Sequence, residues 1–414
     1  MASRHYLFLQ GLRSPFFKML AEAFRSKDIR VSKINYTLGD RLYWSHCAES
    51  CNASLQDLDD FYCEAFARLS PTDLILFGDC RPIHTPAIKL ALHLGIRIHV
   101  FEEGYFRPDW ITLEQTGVNG YSRLPKDVNW YLKTAPFIKE VMPLGLKSSL
   151  NARVFHDVAY NIACLANPIF FPNYPGHITY TIHDEYISYV RRAWKVKRTR
   201  EQDTNVVNAL ARSKNYFILA LQVVGDSQLR CHSQYADFDK LLREVLSSFA
   251  AQAPFESKLV IKNHPLDPGF IPYGESIAKI ASSLQILDRI VFLETGHLPT
   301  LLSHAMGLVT VNSTTIGQAL FHQCPVKALG QSIFNINGLC HQGSLESFWT
   351  QPGKVDQILF KAFKKVVTHI TQINGDLYSA AGISLAVKNA IPRLLEPSNR
   401  LEVLMDMEIS RIDK

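Results

Sequence analysis

Two carboxylates, Glu102 and Glu103, stand side by side in "GIRIHVFEEGYFRPDW", at the end of an apolar run. A carboxylate held beside a bound sugar can act as general base or as nucleophile. Neighbouring residues of a strand point to opposite faces, so one of the pair is expected to face a ligand. The other use of such charges is an ion pair with Arg107 or Arg81. A second candidate lies in "KLVIKNHPLD", where Pro265 stops a strand and presents His264 at its end, with Lys262 adding charge. These residue types donate hydrogen bonds to phosphate or to a leaving group. In "VTVNSTTIGQAL", Asn312, Ser313 and Thr314 sit between a strand and a helix. Ser and Thr cap helices, and the amides of a helix start also bind anions. The loop in "LQVVGDSQLRCHSQY" offers Gln222, Asp226, Ser227 and Gln228 as substrate contacts. Each feature also has a plain structural use: a turn histidine, a capped helix, a salt bridge.

The elements that must position these groups alternate. Apolar runs at 5–11, 29–37, 73–79 and 96–104 read as strands, and 15–27, 55–69 and 85–95 carry helical periodicity. Strands separated by helices imply a parallel sheet covered on both faces, with ligands beyond the carboxyl ends of the strands. Gln10-Gly11, Gly78-Asp79 and Glu102-Glu103-Gly104 all fall at such ends, and Arg81 follows closely. The pattern repeats after residue 215, with strands expected at 216–223, 258–265, 289–294, 307–313 and 325–330. The expected organisation is a Rossmann-like domain over 1–135, a helical and basic linker over 136–205, a second Rossmann-like domain over 206–355, and C-terminal helices over 356–414 that pack back on the first domain. Two doubly wound α/β domains facing a central cleft make a GT-B-like fold. Epimerases and binding proteins share that layout, so it does not name a function.

Bulk properties narrow the class. The 414 residues exceed what one core usually serves, and 47% hydrophobic with 20% charged residues describes a globular protein. A net charge of +6 suits an anionic partner such as a nucleotide or a phospholipid surface. The eight cysteines form no CxxC pair and no zinc pattern, which fits free thiols in a cytoplasmic protein. The chain has no GxGxxG after its first strand, no GxxxxGK[ST], no GxSxG and no HExxH. No apolar run reaches bilayer-spanning length and no signal peptide is seen. The basic stretch "YVRRAWKVKRTR" places Arg191, Arg192, Lys195 and Lys197 around Trp194. It reads as a solvated helix or as a surface for anionic lipid headgroups.

Laid out in this order, the blocks "FGDCRPIH", "FEEGYFRPDWITLE", "GVNGYSRLP", "LVIKNHPLD", "TVNSTTIGQAL" and "GLCHQGSLESFW" resemble those of the KpsS (LipB-type) capsule polysaccharide proteins of Gram-negative bacteria. The resemblance runs from about residue 5 to 350 and is weak in the central segment and the last sixty residues. It implies a β-Kdo glycosyltransferase that takes Kdo from CMP-β-Kdo to lysophosphatidylglycerol, at the inner face of the inner membrane. A second Kdo transferase and an ABC transporter are implied partners; nucleic acid is not. By analogy with related sialyltransferases, the first domain is the acceptor side and Glu102-Glu103-Gly104 the acidic motif. His264-Pro265 and Ser313-Thr314 would hold the CMP phosphate on the donor side. Arg107 would orient the loop or meet the sugar carboxylate. This sequence has Glu at both acidic positions, which leaves the catalytic one open; the preference from sequence is Glu103. A monophosphate donor needs little help from a cation, so no metal and no cofactor are expected. Two other readings stand beside this one: a non-catalytic component that binds lipid-linked polysaccharide for export, and a sugar-nucleotide epimerase.

Overall fold

A computed structural model describes residues 4–146, 150–174, 182–223, 231–235 and 237–412. The chain forms two compact α/β units, each assembled from separate stretches. The first comprises Met1–Leu124, Thr134–Gly176 and Lys365–Lys414; the second comprises Pro125–Lys133 and His177–Lys364. The boundaries read from the sequence differ from this division. Residues 125–133 belong to the second unit, and the stretch 136–205 is shared between the units instead of forming a linker of its own.

In chain order the first unit begins with β1 His5–Phe8, α1 Phe16–Arg25, β2 Arg30–Asn35, α2 Leu38–Tyr43 and β3 Ala48–Ser50. It continues with α3 Leu58–Leu69, β4 Asp73–Phe77, α4 Thr85–His93, β5 Arg97–Glu103 and β6 Trp110–Gln115. Next in the chain come α5 Val128–Thr134, of the second unit but for its last residue, then α6 Leu150–Cys164 and α7 Asn167–Phe170 of the first unit, and α8 Ile182–Ser213 of the second. The second unit's strands are β7 Tyr216–Ala220, β8 Lys258–Lys262, β9 Ile290–Leu293, β10 Gly307–Thr310 and β11 Val326–Ala328. A last strand, β12 Gln372–Asn374, returns to the first unit.

The first sheet has the order β12-β6-β5-β4-β1-β2-β3. Strands β1 to β5 run parallel, while β6 pairs antiparallel with β5 and β12 antiparallel with β6. Its central strands β1 and β4 are buried on both faces, which is why they read as continuous apolar runs. Tyr6, Phe8, Ile75 and Phe77 face one core with α1, while Leu7, Leu9, Leu74 and Leu76 face another with α3 and α4. The helix Ala380–Leu395 completes the first of these cores, and the Tyr6 hydroxyl donates to the Leu394 carbonyl at 2.9 Å. The second sheet is all parallel, in the order β11-β10-β7-β8-β9.

Both sheets carry a topological switch point, between β1 and β4 in the first and between β7 and β10 in the second. There the connections leave to opposite faces, which opens a crevice at the carboxyl ends of the strands.

Candidate active site

The carboxyl edge of the first sheet gathers the residues that follow β1, β4 and β5. The Arg81 guanidinium, from the turn after β4, donates to Gln10 Oε1 at 3.0 Å and to the Gly11 carbonyl at 2.8 Å. It thereby spans the switch point. Gln10 is buried and donates to Asp40 at 3.2 Å and to the Tyr174 hydroxyl at 3.1 Å. Asp40 also accepts from the Tyr36 amide at 2.9 Å and the Tyr160 hydroxyl at 3.1 Å. Lys33 lies beneath this group, fully buried, and donates to the Leu9 carbonyl at 2.5 Å. Burial brings its ammonium down to about 8; Asp40 opposes that shift and Arg81 adds to it.

The two glutamates part company at this edge. Glu102 Oε2 lies 3.3 Å from where a Cβ on Gly78 would stand, and Arg81 Nε lies 3.8 Å from the same point. Gly78 has φ of +72°, so its lack of a side chain serves both the turn and the carboxylate beside it. Glu102 therefore belongs with Gln10, Gly11 and Arg81. Glu103 points to the other face. It meets Arg153 of α6 at 3.2 Å, the Tyr378 hydroxyl at 3.3 Å and Arg107 at 3.9 Å. Burial, and then the negative charge of Glu103, raise the Tyr378 phenol far above its ordinary value. Behind the pair, a Cβ on Gly104 would stand 2.0 Å from the Trp110 carbonyl oxygen, so only glycine admits the β5–β6 hairpin at that point. Asp79 turns inward, where its carboxylate accepts from the Val118 amide at 2.8 Å and the Cys80 thiol at 3.3 Å. It holds the turn after β6.

The carboxyl edge of the second sheet gathers the other set. Gln222 and Asn312 bond reciprocally across the β7–β10 switch point, amide to carbonyl at 2.9 Å and backbone amide to Gln222 Oε1 at 3.2 Å. Ser313 uses its hydroxyl locally, accepting from the Thr315 amide at 3.1 Å and donating to the Thr315 hydroxyl at 2.9 Å. Thr314 makes no side-chain cap to the short helix Thr315–Phe321. After β8, Asn263 Oδ1 accepts from the His264 amide at 2.8 Å and His264 Nδ1 accepts from the Leu266 amide at 3.1 Å. An accepting Nδ1 leaves the neutral ring's proton on Nε2, which makes Nε2 a donor. Pro265 is exposed beside it. Lys262 is buried and its ammonium value is lowered, by burial first and by the Arg192 charge second.

The basic stretch of α8 departs from its sequence reading. Arg192 does not face solvent. Its guanidinium donates to the carbonyls of His264 at 2.7 Å and Pro265 at 2.9 Å, and also to that of Asp267. Arg192 and Lys195 both pair with Glu294, at the end of β9, and Glu294 accepts from Asn263 at 3.0 Å. Burial works to raise the Glu294 carboxyl, but Lys195, Asn263 and Arg192 bring it below its ordinary value. An arginine fork satisfies several carbonyls of one tight turn at once, and a buried guanidinium needs such partners. Arg191 and Lys197 remain exposed, with Trp194 between them.

Asp226, Ser227 and Gln228 lie outside the described residues. The sequence reading missed Arg153, Tyr378, Asp40 and Lys33, and gave Arg192 the wrong surroundings. Glu294 carried a usable signal, a carboxylate ending an apolar run just as Glu102 does. Tyr378 carried none, because it reaches Glu103 only through the return of the chain after β12.

Comparison with known proteins supplies the context. The family model described as capsule polysaccharide biosynthesis protein matches residues 72–378. The chain belongs to this family. It is 36% identical to the capsule polysaccharide export protein KpsS of Escherichia coli, over 91% of this chain and 98% of that protein. It is 31% identical to the capsule polysaccharide modification protein LipB of Neisseria meningitidis serogroup B, over 91% of this chain and 92% of LipB. Among solved structures, the β-Kdo 2,7 transferase KpsC of Thermosulfurimonas dismutans aligns with a TM-score of 0.42 at 13% identity, covering 94% of this chain and 99% of that one. UDP-GlcNAc 2-epimerase of Neisseria meningitidis aligns with a TM-score of 0.31 at 14% identity, covering 94% and 99%. The family match covers the acidic motif Glu102-Glu103-Gly104, the His264-Pro265 turn and Ser313-Thr314, and it begins after β1.

Proposed function

We propose that the protein is a β-Kdo glycosyltransferase that moves Kdo from CMP-β-Kdo to lysophosphatidylglycerol in capsule assembly. The observation that carries this reading is the separation of the glutamates, with Glu102 turned to the switch-point side beside Gly78 and Arg81. Ligands of open α/β sheets bind on that side. Glu102 is therefore the reacting carboxylate in this reading, and Glu103, engaged by Arg153, Tyr378 and Arg107, supports the hairpin. The preference from sequence for Glu103 is replaced.

The donor side follows from the second sheet. The Nε2–H of His264 and the ammonium of Lys262 suit the phosphate of CMP, with Asn312, Ser313 and Gln222 at the neighbouring strand ends. Departure of CMP breaks the bond between the anomeric carbon and the phosphate oxygen, and the electron pair leaves with CMP. Positive groups at that phosphate offset the growing charge. Net retention fits a double displacement. The Glu102 carboxylate bonds to the anomeric carbon as CMP leaves; the acceptor oxygen then bonds to that carbon, the ester bond breaks to regenerate the Glu102 carboxylate, and the hydroxyl proton passes to solvent. The reaction needs no divalent cation, and a chelator is expected to leave the rate unchanged.

The test is mass spectrometry of CMP-β-Kdo incubated with lysophosphatidylglycerol and protein. One Kdo added to the lipid, with equimolar CMP released, is expected for the wild type and lost in Glu102→Gln. The word "export" in the name of the E. coli relative favours one rival reading, a carrier of lipid-linked polysaccharide. Lipid binding without CMP release would support that rival and end the transferase reading.

A further inference from the structure

Helix α6 is built inside out. Its inner face is polar: Arg153 reaches Glu103, the Tyr43 hydroxyl bonds His156 Nδ1 at 2.9 Å, Asp157 pairs with Arg13, and Tyr160 enters the Asp40–Gln10 cluster. Its outer face is apolar and stands in solvent. Leu150, Val154, Phe155 and Ile162 are all exposed. An ordinary surface helix has the opposite arrangement.

The same character extends to both sides of α6. Met142, Leu144, Phe155, Ile162, Leu165 and Ile169 are between 62% and 79% exposed. Large side chains this prominent and this concentrated mark an interaction site. The segment before α6 is fixed to the hairpin that carries the glutamates and to the neighbouring strand β12. The Leu144 amide donates to Asn374 at 3.0 Å and the Leu146 amide to Asp109 at 2.9 Å.

The charge on this shoulder is positive on balance. Between Lys139 and Phe171 the sequence holds three cations, Lys139, Lys147 and Arg153, and two carboxylates: Glu140, exposed beside Lys139, and Asp157, which Arg13 takes up. Arg41 is exposed on α2, which is joined to α6 and α7 through Tyr43–His156 and through the Leu38 amide to Asn167 at 2.9 Å. Lys139 is exposed at the start of the segment. Projecting apolar side chains rimmed by a net excess of cations suit insertion among acyl chains under anionic headgroups.

We propose that the α6–α7 shoulder, with the segment from Val141 to Leu146, docks the protein on an anionic lipid surface. The surface is distinct from the basic stretch of α8, whose Arg192 and Lys195 are spent on Glu294 and the His264 turn. Its link to the acceptor rests on the transferase reading: the helix that touches the lipid surface is the one that holds Glu103 and Gln10 in place.

The test separates the two ideas because vesicle binding is measured with neither donor nor acceptor present. Full-length protein is sedimented with mixed phosphatidylethanolamine–phosphatidylglycerol vesicles and with phosphatidylcholine vesicles. The wild type is expected to bind the anionic vesicles, and Phe155→Glu with Ile169→Glu to lower the partition coefficient by about tenfold or more. Trp194→Ala is expected to leave binding unchanged. Phe155→Ser with Ile169→Ser serves as a milder pair if the charged pair fails to fold, as judged by its melting curve. Unchanged binding by a folded variant overturns the proposal, and so does a wild type that ignores anionic vesicles. A wild-type dimer that the variants turn into monomers, with no vesicle binding, also overturns it and assigns the face to a second copy of the chain.

Discussion

The two switch points solve the same geometric problem with different chemistry. At the first sheet the crossing is made by a charge: Arg81 bridges Gln10 and Gly11, with Glu102 beside it and Lys33 and Asp40 buried below. At the second the crossing is made by two neutral amides, Gln222 and Asn312, and the charge sits one strand away in the Arg192–Glu294 support of the His264 turn. Under the proposed reaction the difference has a use: a reacting carboxylate needs a poised electrostatic setting, and a phosphate site needs donors held still. The contrast teaches that the Arg192 charge of the second unit is placed behind the loop, where it steadies the His264 turn; under the proposed reaction it acts on the phosphate through that histidine.

Substitutions can break this contrast, and the largest effect is expected at Glu102. Under the proposed reaction, Glu102→Gln lowers kcat by about 10²- to 10⁴-fold, while Glu103→Gln stays within about tenfold of wild type. Steady-state rates with CMP-β-Kdo decide between them, and the reverse order would return the reacting role to Glu103. Next comes Arg192→Ala, which strips the His264 turn of its shared donor. It is expected to lower stability by on the order of 3 kcal/mol in urea denaturation and to weaken CMP binding as well. Arg192→Lys keeps the charge but not the fork and restores little of either. His264→Ala is expected to weaken CMP binding by about 10- to 100-fold in calorimetric titration with the fold intact. Unchanged CMP affinity would remove the phosphate role from that ring.

The smallest effect sharpens the first switch point. Lys33 holds its proton to about pH 8 in the folded state, against 10.5 for an ordinary lysine. Between those values the unfolded chain binds the proton and the folded one does not, so stability rises with pH across the window. The slope is at most about 1.4 kcal/mol per pH unit. Buried thiols such as Cys51 and Cys340, whose values are raised, act in the opposite sense across this window, so the check is a difference: between about pH 8 and about pH 10 in urea titrations the wild type should gain stability relative to Lys33→Met.

The parallel strands were legible because burial on both faces writes them as apolar runs ending in glycine or polar residues. Thus β1, β4, β5, β7, β8 and β10 could be read in "HYLFLQG", "DLILFGD" and "GLVTVNS" and their like. Strand β6 was not, since "WITLEQ" follows a proline and looks like the tail of a loop, and its pairing with β5 depends on the hairpin that Gly104 permits. Strand β12 was hidden among helices, because a strand of three residues at a sheet edge leaves no periodicity to detect. The candidate groups at the strand ends could be named one by one. Which of them meet was not legible, because Arg153, Arg192 and Tyr378 arrive from helices and turns distant in sequence, and side-chain type alone does not tell a solvated arginine from a buried one.

The closure of the first sheet by β12 has a consequence for synthesis. Tyr6 waits for Leu394, Glu103 for Tyr378, and the free edge of β6 for Gln372–Asn374. The second unit has all its strands by Ala328 and its last residues by Lys364. A ribosome delivering this chain therefore finishes the half it started second, while the half it started first emerges with an open edge and an uncovered α1 face. The residues of β1 leave the exit tunnel before those of the second unit and are among the last to reach their final partners.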